Sequence, residues 1–214
     1  MNILEEKLYS IYNQKEDAPF HKRCIPSFFE FITKHLKYSR FLNPYIFSEE
    51  YDIDYATSIA IFLFYTNSDE PLLNIRPYID CTDTECKTHI FLSEFDIENN
   101  SAYCKECDLT IPVALLRRQI KFLFELNNGI YSILKMQNCT NTLDMILSNN
   151  DGLKFSPPSI SHNDTSKSQQ HVNPKDLEGG VSFSEITRIN MQGEEPISRP
   201  LDNIQKLISQ KMLQ

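Results

Sequence analysis

Residues 81–107 read CTDTECKTHIFLSEFDIENNSAYCKEC and contain two close-set pairs of cysteines. Cys81 and Cys86 form a Cys-x4-Cys pair, and after a spacer of seventeen residues Cys104 and Cys107 form a Cys-x2-Cys pair. This arrangement is typical of a structural zinc site, because each pair offers two thiolates to one ion and the spacer can return the chain to complete a tetrahedron. Four thiolates leave no open coordination position, so we expect a zinc ion that holds structure and does no chemistry.

The alternatives for these cysteines are disulfides and free thiols. The first ten residues, MNILEEKLYS, lack the basic start and apolar core of a signal peptide, and no apolar run approaches the roughly eighteen residues of a membrane span. We therefore expect a soluble, cytoplasmic protein, in which reducing conditions favour metal over disulfide. His89 follows Cys86 at ligand-like spacing and is an alternative ligand in place of Cys81. Cys24 and Cys139 are expected to be ordinary thiols.

The residues before the cysteine pairs have the outline of a winged helix-turn-helix. Four helices are predicted: residues 2–13, a segment whose first helical residue is Pro26, a short helix from Pro44 to Glu49 or Glu50, and a helix capped by Asp54 or a neighbouring residue. Residues 72–80 are predicted to be extended, and Pro77 restricts them to an edge or irregular strand. Helix, short turn, helix and strand in this order indicate a winged-helix-like unit.

The residues after the first cysteine pair are predicted to form short strands and helices. HIFLSEF (89–95) is predicted as a strand, IENNS (97–101) as a turn, and YCKECDLTIPV as the returning chain. Alternating apolar residues favour a strand within 118–126, although the length also allows a helix. Residues 130–149 are predicted to contain one or two short helices. Residues 150–200 hold five of the eleven prolines and are predicted to be a flexible linker without a core.

The chain ends in a segment, LDNIQKLISQKML, with helical periodicity. One face carries Leu201, Ile204, Leu207 and Ile208, and this face either docks onto a partner or sister subunit or packs back on its own domain. The predicted fold class is α+β. The predicted divisions are a helical region with a winged-helix-like unit (1–80), a zinc ribbon and following strand (81–126), short helices (127–149), a flexible linker (150–200) and a C-terminal amphipathic helix (201–214).

Three segments together carry a resemblance to a known type of module. They are NPYIFSEEYDIDYATSIAIFLF, LLNIRPYIDC and YCKECDLTIP, all within residues 43–126. This region resembles the winged-helix plus zinc-ribbon module of bacterial multidomain signalling and defence proteins, which is found ahead of some class III nucleotidyl cyclase domains. The resemblance implies this architecture, with zinc on the four paired cysteines. It does not carry catalysis over, and the chain departs from the pattern because no glycine follows either cysteine pair.

Charge disfavours nucleic acid as the partner. The formal net charge is −8, and no Lys or Arg occurs between Arg40 and Arg76, so the recognition helix expected at residues 54–66 has no cation for DNA phosphates. A winged-helix DNA-binding transcriptional regulator is therefore only the alternative function.

Enzymatic activity is also disfavoured. No glycine precedes Gly129, which excludes a P-loop or dinucleotide fingerprint from most of the folded part. His21 and Cys24 are too close in sequence to form a productive nucleophile and base.

The remaining class is a non-catalytic interaction module. We expect a zinc-stabilised adaptor or accessory subunit of a larger bacterial complex, bound to protein partners through the C-terminal helix and without a membrane anchor or small-molecule substrate. The acidic surface is expected to select basic patches on such a partner. Analogy with defence proteins alone adds antiviral defence as a setting.

Overall fold

The computed structural model describes residues 2–15, 17–113, 118–136, 180–193 and 195–210. Its helices are α1 (Ile3–Asn13), α2 (Cys24–His35), α3 (Pro44–Tyr51), α4 (Tyr55–Phe64), α5 (Glu94–Glu98), α6 (residues 128–136), α7 (Phe183–Asn190) and α8 (Arg199–Gln210). Its strands are β1 (Phe41–Leu42), β2 (Leu73–Asp80), β3 (His89–Phe91), β4 (Ala102–Cys104), β5 (Leu109–Ile111), β6 (Lys121–Leu126) and β7 (Val181–Ser182). The fold class is α+β, as predicted. Across these ranges every helix is too short or too polar to traverse a lipid bilayer.

The first two helices begin close to the predicted positions. α1 buries Leu4, Leu8 and Ile11, which are spaced to lie on one face. α2 begins at Cys24, two residues before the predicted start at Pro26. The proline therefore lies inside the first turn, where its missing N–H removes no intrahelical hydrogen bond.

The starts of α3 and α4 are fixed by polar caps. The Asn43 side chain accepts a hydrogen bond from the N–H of Tyr45 at 2.9 Å, and Pro44 follows as the first helical residue. The Asp54 side chain accepts from the N–H of Thr57 at 2.9 Å. These caps satisfy backbone donors that the first helical turn leaves unpaired, and they confirm both predicted starts.

An antiparallel sheet supports the helices. Its strand order is β1-β6-β2-β3, and β7 also pairs with β6. β4 and β5 form a separate hairpin. The strand predicted within residues 118–126 is confirmed as β6, which excludes the helical alternative for residues 121–126.

Of the two alternatives predicted for the Pro77 strand, an edge or an irregular strand, the edge is wrong. β2 has β6 on one side and β3 on the other. The carbonyl of Pro77 accepts a hydrogen bond from the N–H of Leu92 at 2.9 Å, so the side of Pro77 without a donor faces β3. The β3 ladder ends at the pair Tyr78–Phe91, directly beside Pro77. An internal strand tolerates this proline because its missing N–H lies where one neighbouring ladder has already ended.

Helix α4 is the centre of the core. Residues 58–64 of this helix are all buried, which suits a helix that is apolar on nearly every side. The Phe62 ring lies 5.0 Å from that of Phe28 in α2 and 5.1 Å from that of Phe124 in β6. α4 is therefore held between the other helices on one side and the sheet on the other.

The prediction of a coreless linker over residues 150–200 is wrong for its last part. Residues 150–179 lie outside the described residues, but β7, α7 and the start of α8 belong to the folded body. Val181, Ile186 and Ile189 are fully buried, and α7 packs against α4 and β6. The proline and serine content of the longer window concealed this short amphipathic segment. Of the helices predicted over 130–149, residues 128–136 are helical and residues 137–149 lie outside the described residues.

The C-terminal helix packs on its own chain. Leu201 and Ile208 are buried, and Ile204 and Leu207 are half-buried against the core. α8 packs against α5 and α7. Of the two alternatives for this apolar face, the structure shows the second, in which the face packs on its own chain. The predicted boundaries 201–214 become Arg199–Gln210 for the described helix.

Gly180 is the tightest point in the attachment of the C-terminal segment. A Cβ at this residue would lie 2.7 Å from Cε1 of the fully buried Tyr78 and 2.9 Å from the carbonyl oxygen of Phe122. We expect Gly180→Ala to lower the free energy of unfolding by about 1–3 kcal/mol, because the buried ring and the strand backbone must both shift. Urea denaturation measures this loss.

Gly193→Ala is the matched control. The nearest atom to a Cβ there is the carbonyl oxygen of Glu195 at 3.6 Å, an ordinary contact. Equal midpoints for the two variants would show that residues 180–182 are not fixed against β6.

Candidate metal centre

The first cysteine pair lies on the connection between β2 and β3. The strands pair as far as Asp80 and His89, so the backbone N–H of Cys81 donates to the carbonyl of Thr88 at 3.0 Å. A turn follows in which the N–H of Cys86 donates to the carbonyl of Asp83 at 3.1 Å. Strand pairing and this turn together bend the Cys-x4-Cys segment so that both sulfur atoms face the same site.

The second cysteine pair lies on the turn of the β4–β5 hairpin. Cys104 ends β4 and pairs with Leu109 across the hairpin, and Cys107 lies in the turn between them. Asp108 follows with a φ of 54°, in the left-handed region that favours glycine. Its carboxylate accepts a hydrogen bond from the hydroxyl of Tyr103. Asp is one of the few other residues that adopt this conformation, which explains how the hairpin turns without the expected glycine.

The structure brings all four predicted site residues together. Their sulfur atoms lie within 4.8 Å of one another. The sulfur–sulfur distance is 3.3 Å between Cys81 and Cys107 and 3.7 Å between Cys86 and Cys104. Four thiolates around one zinc at about 2.3 Å would have their sulfurs about 3.8 Å apart. A disulfide needs a separation of about 2.05 Å, so these distances fit a shared ion and not a bonded pair.

The local electrostatics favour a cation among the sulfurs. The backbone N–H of Cys107 has the largest effect on the Cys104 thiol and, with the neighbouring thiols and the N–H of Glu106, lowers its pKa from 9.0 to about 7. Hydrogen bonding with Cys81 and Cys104 raises the pKa of the Cys107 thiol. The pKa of one thiol is therefore lowered while that of its neighbour is raised. A positive ion would remove this opposition, because it stabilises all the thiolates together.

The cysteine segment is joined to the main core. Ile97, Ala102 and Ile111 are buried and belong to the same hydrophobic cluster as the helices and the sheet. The strand predicted over residues 89–95 stops at Phe91, because Ser93 begins α5 with a capping box. The N3 residue of this box is Asp96 instead of the usual Glu or Gln, so the sequence signal was weak.

Two histidines that the sequence singled out lie outside the metal site. His89 Nδ1 lies 2.6 Å from Asp80 Oδ1, so it pairs with a carboxylate and not with the cysteines. His21 Nδ1 accepts a hydrogen bond from the backbone N–H of Arg23 at 3.1 Å. Burial raises the pKa of the Cys24 thiol, which makes it a poor nucleophile. His89 therefore does not take the place of Cys81 in the metal site, and His21 does not act as a base for Cys24.

Comparison with known proteins gives no match from which this site could be assigned. No protein-family model matches the chain, and no curated protein or solved structure is significantly similar to it. The assignment of the site therefore depends on the geometry of the cysteines. That geometry shows a four-cysteine cluster that could hold a metal ion.

Proposed function

We propose that this protein is a non-catalytic, zinc-stabilised adaptor or accessory subunit of a larger protein assembly. The observation that carries the proposal is the burial of α4, which is the helix that a DNA-binding winged helix would place in the major groove. Residues 58–64 of this helix are all buried, so they cannot read a groove. The helix-turn-helix then serves as a scaffold, and the surfaces around it are left for binding proteins.

Zinc is the metal that this ligand set supports best. Four thiolates in a roughly tetrahedral arrangement suit zinc, with iron–sulfur chemistry as the other common use of such a set. Cys81 and Cys104 are buried, while Cys86 and Cys107 are half-buried. A closed site of this kind stabilises the fold and leaves no position for a reacting group.

The strand order supports a winged-helix unit. β6 returns to lie between β1 and β2, after the helices α3 and α4 and the strand β2. The cysteine segment is inserted between β2 and β6, where the wing of such a unit lies. We infer that the metal stiffens an enlarged wing, and that exposed residues of this wing are available for a partner contact.

DNA binding is the second candidate, and the residues around α4 oppose it. α7 packs against α4, and the Tyr45 hydroxyl of the preceding helix, α3, donates to Glu185 of α7. Glu50, near the end of α3, pairs with Lys34 at 2.9 Å, so this lysine is already engaged by a carboxylate. These contacts cover part of the surface beside α4 that phosphate groups would approach.

Isolation of the complex tests the proposal. The full chain, tagged and expressed at native level in its own cells, is expected to elute with a protein partner in a fixed molar ratio, with or without nuclease treatment. An equivalently tagged unrelated protein is the control for background. Purified chain that remains monomeric and partnerless would contradict the proposal, and so would tight binding to duplex DNA that weakens steeply with added salt.

A further inference from the structure

The sheet face opposite α4 carries an unusual combination of arginines and aromatic rings. Strand register places Phe41 beside Glu125, Arg76 beside Leu123 and Phe91 beside Tyr78, and the pleat directs all six side chains away from the core face that holds Phe124. We name Arg40, Phe41, Arg76, Phe91 and Glu125 the arginine–phenylalanine patch.

The two phenylalanines form a stacked pair flanked by guanidinium groups. The rings of Phe41 and Phe91 are 5.0 Å apart and 10° from parallel. Arg40 lies over the Phe41 ring at 5.7 Å, and Arg76 lies over the Phe91 ring at 5.9 Å. Both distances are within the range of about 6 Å for a cation–π contact, so each ring helps to hold its arginine on this face of the sheet.

Glu125 holds the two arginines together. Its side chain is only 5% exposed and bonds to Arg40 and, at 3.0 Å, to Nε of Arg76. The arginine side chains are 37% and 45% exposed. Each guanidinium has five N–H donors, and one carboxylate uses only some of the ten. In the described part of the chain no other acidic side chain is paired with either arginine, so two cations share one buried anion.

The sign of this patch is opposite to that of the chain as a whole. The chain has a net charge of −8, whereas this sheet face has Arg40, Arg76 and Lys121 against Glu125 and Asp80. Lys121 is already paired with Asp80 at 2.8 Å, so the unbalanced charge belongs to the arginines. A polyanion would be repelled by the overall charge, but a single carboxylate experiences mainly the local pair, because distant charges are screened.

We propose that the arginine–phenylalanine patch binds an acidic segment of a protein partner. One Asp or Glu of that segment bonds to the outward N–H groups of Arg40 and Arg76, and an adjacent apolar side chain packs on the stacked rings of Phe41 and Phe91. This inference rests on the proposed adaptor function and specifies its binding surface. It adds a second contact to the expected attraction between the acidic surface of this chain and basic patches on the partner.

Selection from a random dodecapeptide phage library tests the patch on the full-length, metal-containing chain. The expected result is enrichment of peptides with Asp or Glu beside an aromatic or aliphatic residue. Fluorescence anisotropy then compares the affinity of the best synthetic peptide with that of three other ligands. They are the same peptide with its Asp and Glu replaced by Asn and Gln, the same peptide with them replaced by Lys, and oligothymidylate. We expect the acidic peptide to bind at least about tenfold more tightly than each of the other three, as for loss of a charge-assisted bidentate contact.

The informative variant is Arg40→Gln/Arg76→Gln/Glu125→Gln, which removes both cations without leaving the carboxylate unpaired. It should lose at least about tenfold in affinity for the acidic peptide. Arg199→Gln is the matched control, since that arginine is 76% exposed and lies on α8. Should the triple variant melt early, Arg76→Lys keeps the charge without the planar fork and should weaken binding several-fold.

Several outcomes would overturn the proposal. They are selection of peptides without acidic residues, equal binding by the triple variant, and preferential binding of oligothymidylate. The native partner provides a separate comparison with the adaptor function. If it co-purifies equally well with the triple variant and the parent chain, the patch is not the binding surface, while the adaptor function stands.

Discussion

Substitution of Cys104 by Ser is expected to remove the bound metal and unfold the cysteine segment. Cys104 is fully buried, and its sulfur lies 3.7 Å from that of Cys86. A serine hydroxyl cannot replace a thiolate as a zinc ligand, and metal-binding free energies of about 10–16 kcal/mol in small zinc domains are largely folding free energy. Elemental analysis of the purified protein should therefore fall from about one zinc per chain to almost none.

The loss should extend beyond the cysteine segment. Ile97 and Ile111 belong to the main hydrophobic cluster, and α5 packs against α8. Unfolding of the segment therefore exposes apolar surface on the C-terminal helix as well. In a thermal melt followed by circular dichroism, the variant should show an earlier and broader transition than the parent chain, and a zinc chelator should change the parent in the same direction.

Cys24→Ser is the matched control for loss of a thiol. Cys24 is half-buried at the start of α2 and lies outside the four-cysteine cluster. The metal content should therefore be unchanged, and the melting temperature should shift by only a few degrees. Full metal content in Cys104→Ser would contradict the assignment of this ligand. A disulfide between Cys81 and Cys107, found by mass spectrometry of the parent protein, would contradict the metal site itself.

The clustering of the four cysteines could be predicted because the information for it is local. The spacing of Cys104 and Cys107 needs only one hairpin turn, and the spacing of Cys81 and Cys86 needs only one bend after a strand. The starts of α3 and α4 were predictable for the same reason, since Asn43 and Asp54 cap helices that begin immediately after them.

The parts that could not be predicted depend on distant partners. Pro77 is tolerated in an internal strand only because the β3 ladder ends beside it. The folding of residues 180–190 depends on α4 and β6, which are far away in sequence. Asp108 adopts a glycine-like conformation with the help of Tyr103, and neither residue signals this alone.

Substitution of Phe62 by Ala is expected to have the largest effect of any core change described for this protein. Phe62 is fully buried, and its ring contacts Phe28 at 5.0 Å, Phe124 at 5.1 Å and Phe47 at 6.0 Å. Truncation removes these contacts and leaves a cavity between α2, α3 and β6, at a cost of about 3–5 kcal/mol. Single domains are stable by only about 5–15 kcal/mol, so most of the free energy of unfolding should be lost in a urea titration.

The result also tests the burial of α4, on which the proposed adaptor function rests. Tyr55→Ala is the matched control, since Tyr55 lies at the start of α4 and is 50% exposed, and its loss should cost less than about 1 kcal/mol. A small loss for Phe62→Ala would mean that α4 is not enclosed by the core. The main argument against a recognition helix would then fail. A large loss for Phe62→Ala together with a small loss for Tyr55→Ala would agree with an α4 enclosed by the core, as the proposed adaptor function requires.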